Sequence, residues 1–323
     1  MGSVSKKKPW FLKSGFRSSW DIAAREATNW LMPYEALQIA RMAHEIWEQN
    51  PNSRVFSLGQ SPAWIVKALE KEAALKKLDY KTGYIPFSGS FFLPADVLEQ
   101  NKDLYCYSSW DGRTNLCERI NRHRMDPYRK VLEKIGMSPE SIIDHFTKNN
   151  ATTTITEIMG QSGGGAASFL YVLFSWAKDD GAEASLREAV NVRLYNNSQL
   201  DLPFSLRIEG FDPIPCNFHP IDSDLRDTLM NCRDNVRIVP YYPSEKWLKE
   251  PGSPEGDPRI LQNTEEVLGE AVVITNFAPN LYDKWRMYGR AAVKKFLPRD
   301  APKAVSSKRS TLASVIGETP FVR

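Results

Sequence analysis

Apolar positions recur at helical spacing from Pro33 onward, where Leu37, Ala40, Ala43, Ile46 and Trp47 share one face. Pro33 suits the first turn of that helix, and Asn50-Pro51-Asn52 predicts its stop. The period then changes. Val55-Phe56-Ser57-Leu58 is a short β-prone run that breaks at Gly59-Gln60-Ser61-Pro62. A helix is predicted over Ala63-Trp64-Ile65-Val66-Lys67-Ala68-Leu69, with Ser61 as N-cap and Pro62 as first helical residue. Strands or turns are predicted at 84–93 and 104–107. Ile155-Thr156-Glu157-Ile158-Met159 reads as a further strand, stopped by Gly160-Gln161-Ser162-Gly163-Gly164-Gly165. The segment from Ala166 to Phe174 follows as a helix apolar enough to lie against a sheet. More strands are predicted at 190–195, 214–218, 236–239 and 271–275.

Short buried strands alternating with helices predict an α/β fold, a mostly parallel sheet flanked by helices. The expected organisation is an N-terminal arm and helix over 1–50, an α/β domain over 51–240, a C-terminal extension over 241–302 and a disordered Ser-rich tail over 303–323. The Pro/Gly-rich stretch 243–258 reads as a long loop.

Composition narrows the classes. The chain has 323 residues, 42% hydrophobic and 25% charged, enough to bury a real core. Its 42 Lys+Arg against 39 Asp+Glu leave a net charge of +3, which argues against a coat for nucleic acid. No apolar run approaches the roughly 20 residues of a membrane span, and the first residues lack the apolar core of a secretory signal. A soluble, cytoplasmic protein is expected. Cys106, Cys117, Cys216 and Cys232 match no zinc spacing and are expected to be reduced thiols. Histidines are limited to His44, His123, His145 and His219. The basic and aromatic residues near Lys6 to Trp20 could lie on an anionic membrane surface, but packing of the arm on the domain is the favoured reading.

Two strands each end in Gly-Gln-Ser and lead into a helix. In an open α/β sheet, the loops at the carboxyl ends of the strands line the ligand crevice. Helix N-termini there offer amides and the positive end of a dipole to an anion, and glycines let the backbone come close to phosphate oxygens. Gly59, Gln60 and Ser61 in the first turn, and Gly160, Gln161, Ser162, Gly163, Gly164 and Gly165 in the second, are therefore candidate ligand-binding residues.

The second segment resembles the phosphoribosyl-pyrophosphate loop of the phosphoribosyltransferase family, with an apolar strand, an acidic position, then Ser162 followed by glycines and a helix. The resemblance covers about residues 50–200 and implies a phosphoribosyltransferase-like α/β fold. It implies that Ser162 to Gly165 cradle a 5′-phosphate and that Glu157 contacts ribose hydroxyls. It also implies that Leu58-Gly59-Gln60-Ser61 form the upstream pyrophosphate loop. The Arg-rich stretch near 113–124 corresponds to the family's flexible catalytic loop, with Arg113 as a candidate catalytic residue beside Glu157. Magnesium as cofactor and a phosphorylated ribose or nucleotide as partner follow from the same likeness. Two positions depart from the pattern: Ile158 stands at the second acidic position, and Pro62 removes an amide from the upstream loop. Those departures leave open a non-catalytic nucleotide-sensing or partner-binding module of the same fold.

Gly160-Gln161-Ser162-Gly163-Gly164 also satisfies the G-x-S-x-G nucleophile elbow. As a serine hydrolase the chain would use Ser162 as nucleophile and His219 as base, with Asp201 or Asp212 behind the histidine. Asp222, Asp224 and Asp227 read better as favourable charges at a helix start than as a divalent-ion site. Lys284, Arg286, Arg290 and Lys294 with Trp285 and Tyr288 read as a solvated helix face rather than a nucleic-acid surface.

Overall fold

The computed structural model describes residues 31–87, 122–159, 164–197, 204–206, 208, 210–233, 259–260 and 264–277. In chain order the elements are α1 (Pro33–Gln49), β1 (Arg54–Leu58), α2 (Ala63–Lys76), β2 (Thr82–Ile85), α3 (Arg122–Lys134), α4 (Pro139–Asn149), β3 (Thr153–Ile158) and α5 (Gly164–Asp179). They continue as α6 (Glu183–Ala189), β4 (Val190–Asn196), β5 (Phe204–Leu206), β6 (Ile214–Pro220), α7 (Ser223–Asn231), β7 (Cys232–Arg233), β8 (Arg259–Ile260) and α8 (Thr264–Phe277).

Six strands form one sheet in the order β2-β1-β3-β4-β6-β5. Every neighbouring pair is parallel except β5, which runs antiparallel to β6. β7 and β8 form a separate two-stranded parallel ribbon. A central parallel strand is covered on both faces and so loses the alternation of a half-buried strand. All five residues of β1 are buried accordingly. Its side chains divide between two cores. Phe56 and Leu58 join Ile155, Val192, Leu194 and Phe218 under Phe169, Leu173 and Phe174 of α5, with Tyr128 and Leu132 of α3. On the opposite face Val55, Ile158 and Tyr195 pack against α1, α2, α7 and α8 through Leu37, Trp64, Leu225 and Val272 among others. A helix from the predicted arm and one from the predicted extension thus complete the second helical layer.

Polar anchors hold these layers in place. Glu35, fully buried near the start of α1, accepts from the Met32 amide at 3.1 Å and from the Thr228 hydroxyl of α7 at 2.6 Å. Lys67 and Lys71 of α2 both pair with Glu265 of α8, the Lys71 bond measuring 2.5 Å. Partial burial would favour a neutral Glu265, but the hydrogen bonds and charge of the two lysines prevail and hold its carboxyl below the usual range. Arg54, 8% exposed at the start of β1, donates to Thr153 Oγ1 at 3.0 and 3.2 Å, to Gly136 O at 3.3 Å, and to Ser141 Oγ and O at 3.3 and 3.1 Å. One side chain ties β1, β3 and the α3–α4 connection together.

The predicted strands at 190–195 and 214–218 are β4 and β6, and the predicted helix start at Ser223 is α7. The predicted strand at 271–275 is corrected: Ala271 to Thr275 belong to α8. A short β-branched apolar run has the same appearance in a buried helix as in a buried strand, and Glu265 and Glu266 upstream supply the charges of a first helical turn. Pro62, rather than Ser61, stands at the N-cap of α2. The expectations for 88–93, 104–107 and 236–239 fall outside the described residues. Cys216 is a buried free thiol, pushed up to about 12 by burial. No helix among the described residues is long and apolar enough to cross a membrane.

Replacing Arg54 by Met would leave the carbonyls and hydroxyls it serves unpaired in a buried setting. Denaturant unfolding of R54M is expected to show a loss of about 2–3 kcal/mol. A change within experimental error would mean that the Arg54 network contributes no stability.

Candidate functional site

β1 and β3 are hydrogen-bonded neighbours although about a hundred residues separate them, and their register pairs Phe56 with Ile155 and Ser57 with Thr156. From this pair the chain builds outward in both directions, to β2 on one side and to β4 and β6 on the other. Such a reversal is the topological switch point of a doubly wound sheet, where a crevice opens beyond the carboxyl ends of the strands. Leu58 leads into the Gly59-Gln60-Ser61 turn there, and Ile158 leads toward α5, whose first residues are Gly164 and Gly165. The two strand exits lie side by side. Gly160, Gln161, Ser162, Gly163 and Arg113 fall outside the described residues, as does Asp201.

Gly59 has a φ of +75°, and a Cβ there would stand 3.0 Å from the Phe87 carbonyl oxygen. Both the left-handed backbone and the close approach require glycine. Its amide is engaged within the fold, donating to Ile85 O at 2.9 Å. The turn is closed by the Ala63 amide on Gln60 O at 3.1 Å.

Glu157 points from β3 to the N-terminus of α5, where its carboxyl accepts a hydrogen bond from the Ala166 amide. A Cβ on Gly165 would collide with Oε1, so this glycine is what admits the carboxyl to the helix end. Oε2 is buried and has no hydrogen-bond partner. Burial pushes the Glu157 pKa up to about 8, with the Ala166 amide pulling the other way. The carboxyl is thus predominantly protonated near neutral pH. Ile158, next along the strand, is 3% exposed and belongs to the core on the opposite face. The position where the resembled family carries its second acid therefore faces away from the α5 side.

Two arginines not singled out from the sequence lie near the carboxyl edge. Arg226 of α7 donates from Nε to the Met159 carbonyl at 3.1 Å, which brings a cation to the exit of β3. In the sequence it is one charge of a helix start, and only the fold carries it across to β3. Arg193 of β4 donates from Nε to His219 Nε2 at 3.1 Å, and its Nη2 lies 2.8 Å from the same nitrogen. Burial first, and the Arg193 charge second, push the His219 pKa down to about 4. His219 is therefore a neutral acceptor whose Nε2 is already engaged. Asp212 is exposed, and its carbonyl accepts from Arg187 at 3.3 Å. Asp222 accepts from the Asp224 amide at 2.8 Å, the geometry of a helix start.

Among the described residues no group of three or more His, Cys, Asp or Glu side chains is arranged to hold a metal ion. A half-buried Glu157 held toward its neutral form and a core-facing Ile158 do not form a donor set for a resident magnesium. No protein-family model matches the chain, and no functionally characterised protein matches it in sequence. The fold defines a doubly wound α/β protein in which the carboxyl ends of β1 and β3 lie side by side, with Glu157 near the end of β3 and Arg226 at its exit.

The raised pKa carries a stability signature. An unfolded Glu loses its proton near pH 4.3, whereas folded Glu157 holds its proton to about 8. Between these values the unfolded state binds fewer protons, so stability falls as pH rises, by up to about 1.4 kcal/mol per pH unit. Glu157→Gln removes that proton linkage. Unfolding measured from pH 5 to 8 is expected to show a shallower decline for E157Q than for the wild type. Parallel curves would place the Glu157 pKa in the ordinary range.

Proposed function

We propose that the β1/β3 crevice binds a phosphorylated ribose or a nucleotide. The observation that carries this reading is the adjacency of the two strand exits at the switch point, each followed in sequence by Gly-Gln-Ser and then a helix. Backbone amides from 160–165 would hold a phosphate, Arg226 would supply a positive charge at the same edge, and Ser162 a hydroxyl. Glu157, being protonated, brings no charge against an anionic ligand and has an unpartnered oxygen within hydrogen-bonding chemistry of a ribose hydroxyl. On this reading the protein is phosphoribosyltransferase-like. If it transfers, Arg113 and the magnesium that accompanies a pyrophosphate would neutralise the leaving group, with positioning and electrostatics doing most of the catalysis.

A second reading, a non-catalytic nucleotide-sensing module, is favoured by one observation. Ile158 is in the core, so the acidic pair of the resembled family is reduced to Glu157 alone. Calorimetric titration with phosphoribosyl pyrophosphate, ribose 5-phosphate and nucleoside monophosphates, with and without magnesium, tests both. Saturable binding that weakens at least tenfold in Arg226→Gln is expected. Pyrophosphate release across a panel of bases and amines would mark a transferase, and binding without release a sensor. No binding, combined with covalent labelling of Ser162 by a fluorophosphonate, would sink both in favour of a serine hydrolase.

A further inference from the structure

The sheet face that packs α1, α2, α7 and α8 carries a second polar cluster, on β4 and β6, away from the β1/β3 crevice. Arg193 is 1% exposed, and its Nε and Nη2 are directed at His219, a group that accepts a bond but supplies no charge. Its Nη1 is buried without a hydrogen-bond partner, and no ion pair of Arg193 is found among the described residues. Tyr195, two residues further along the same face, is also 1% exposed and its hydroxyl is likewise unpartnered. The Tyr195 and His219 rings lie 5.3 Å apart between centroids, so the three side chains form one cluster.

A guanidinium buried this deeply without a counter-charge is strongly disfavoured, and a neutral imidazole does not offset the loss of hydration. The two unpartnered groups are both donors: the N–H bonds of Nη1 and the phenolic O–H. Glu45 of α1 is within electrostatic reach of Tyr195, but neither donor has a hydrogen-bond acceptor, and that acceptor is what is missing. The route to it lies over β6, whose side chains on this face are accessible: Pro215 and Asn217 are exposed and His219 is half-buried. Tyr195 shares a packed core with residues of α1 and α8, so the site takes only a small group.

We propose that Arg193, Tyr195 and His219 form a binding site for a single oxyanion, the carboxylate or phosphate group of a small molecule that approaches over β6. One oxygen accepts from Arg193 Nη1 and another from the Tyr195 hydroxyl, while His219 holds the guanidinium in register. Arginine suits either group because its planar fork matches both. This site stands apart from the crevice and does not depend on the reading given to it.

The test is a titration of the full-length protein with sodium acetate and, separately, sodium phosphate, each against sodium chloride at matched ionic strength. The readout is the NMR signal of the Arg193 Nε–Hε group, assigned through bonds in the wild-type protein and checked by its loss in Arg193→Met. A saturable shift with acetate identifies a carboxylate site, and one with phosphate a phosphate site. A tenfold excess over Kd should also raise Tm by a few degrees. R193M is expected to lose that rise, and Tyr195→Phe to weaken binding several-fold. Phosphate held only in the β1/β3 crevice would leave the Arg193 signal in place and would still raise the Tm of R193M. An Arg193 signal that moves no more with acetate or phosphate than with chloride overturns the proposal, whether or not R193M folds.

Discussion

The parallel pairing of β1 with β3 is the constraint on which the other features rest. Two strands about a hundred residues apart must find each other, and burial of both on each face fixes how they do so. A slip of one residue would exchange Phe56 and Leu58 with Val55 and Ser57, putting every side chain of β1 on the wrong face. Arg54 reinforces the register from the amino end, because its guanidinium can reach Thr153, Gly136 and Ser141 together only when the strands are aligned as they are. With the amino ends pinned, the carboxyl ends are level as well. The adjacency of the two strand exits is a consequence of that alignment and not a separate construction.

Buried polar groups in this protein fall into two kinds. Arg54 and Glu35 are buried but surrounded by partners, and each ties elements that are far apart in sequence. Glu157 and Arg193 are buried with atoms left over. An unsatisfied buried group costs more than a satisfied one contributes, and Ser57, Glu72 and His145 carry such atoms as well. Glu157 and Arg193 sit on the neighbouring central strands β3 and β4, Glu157 near the carboxyl end of its strand and Arg193 at the middle of its own.

Much of this architecture was legible in the chain, because local periodicity and punctuation agree with the global fold. The run Val55 to Leu58 is strand-like and fully buried, Pro33 opens a helix, and the β4 and β6 segments stop within two residues of their expected ends. The run Ala271 to Thr275 was not legible, since apolar β-branched residues satisfy a buried helix and a buried strand alike. The N-cap of α2 differed by one residue for a smaller reason: Ser61 and Pro62 are both good helix openers, and only backbone geometry separates them. The site was legible where it depended on glycine and strand order. It was not legible where a side chain crosses between elements. Arg226 reading the carbonyl of Met159 is a tertiary fact with no sequence motif, and so is Arg193 resting on His219.

On the proposed reading, the protonation state of Glu157 decides what kind of ligand the exits of β1 and β3 would tolerate. An ionised carboxylate about 4 Å from a phosphate oxygen would oppose it by about 4 kcal/mol at an effective dielectric of 20, enough to cancel several good amide contacts. Burial removes that opposition by keeping the proton on. The same burial makes Glu157 a poor magnesium ligand, because a metal-binding carboxylate must be ionised. Anion recognition, as proposed, and acid-held metal chemistry would place contradictory demands on this one side chain, and its surroundings favour the first. The balanced net charge of +3 is compatible with that choice. Amides at helix ends and one or two placed arginines attract an anion without leaving a mark on the overall charge.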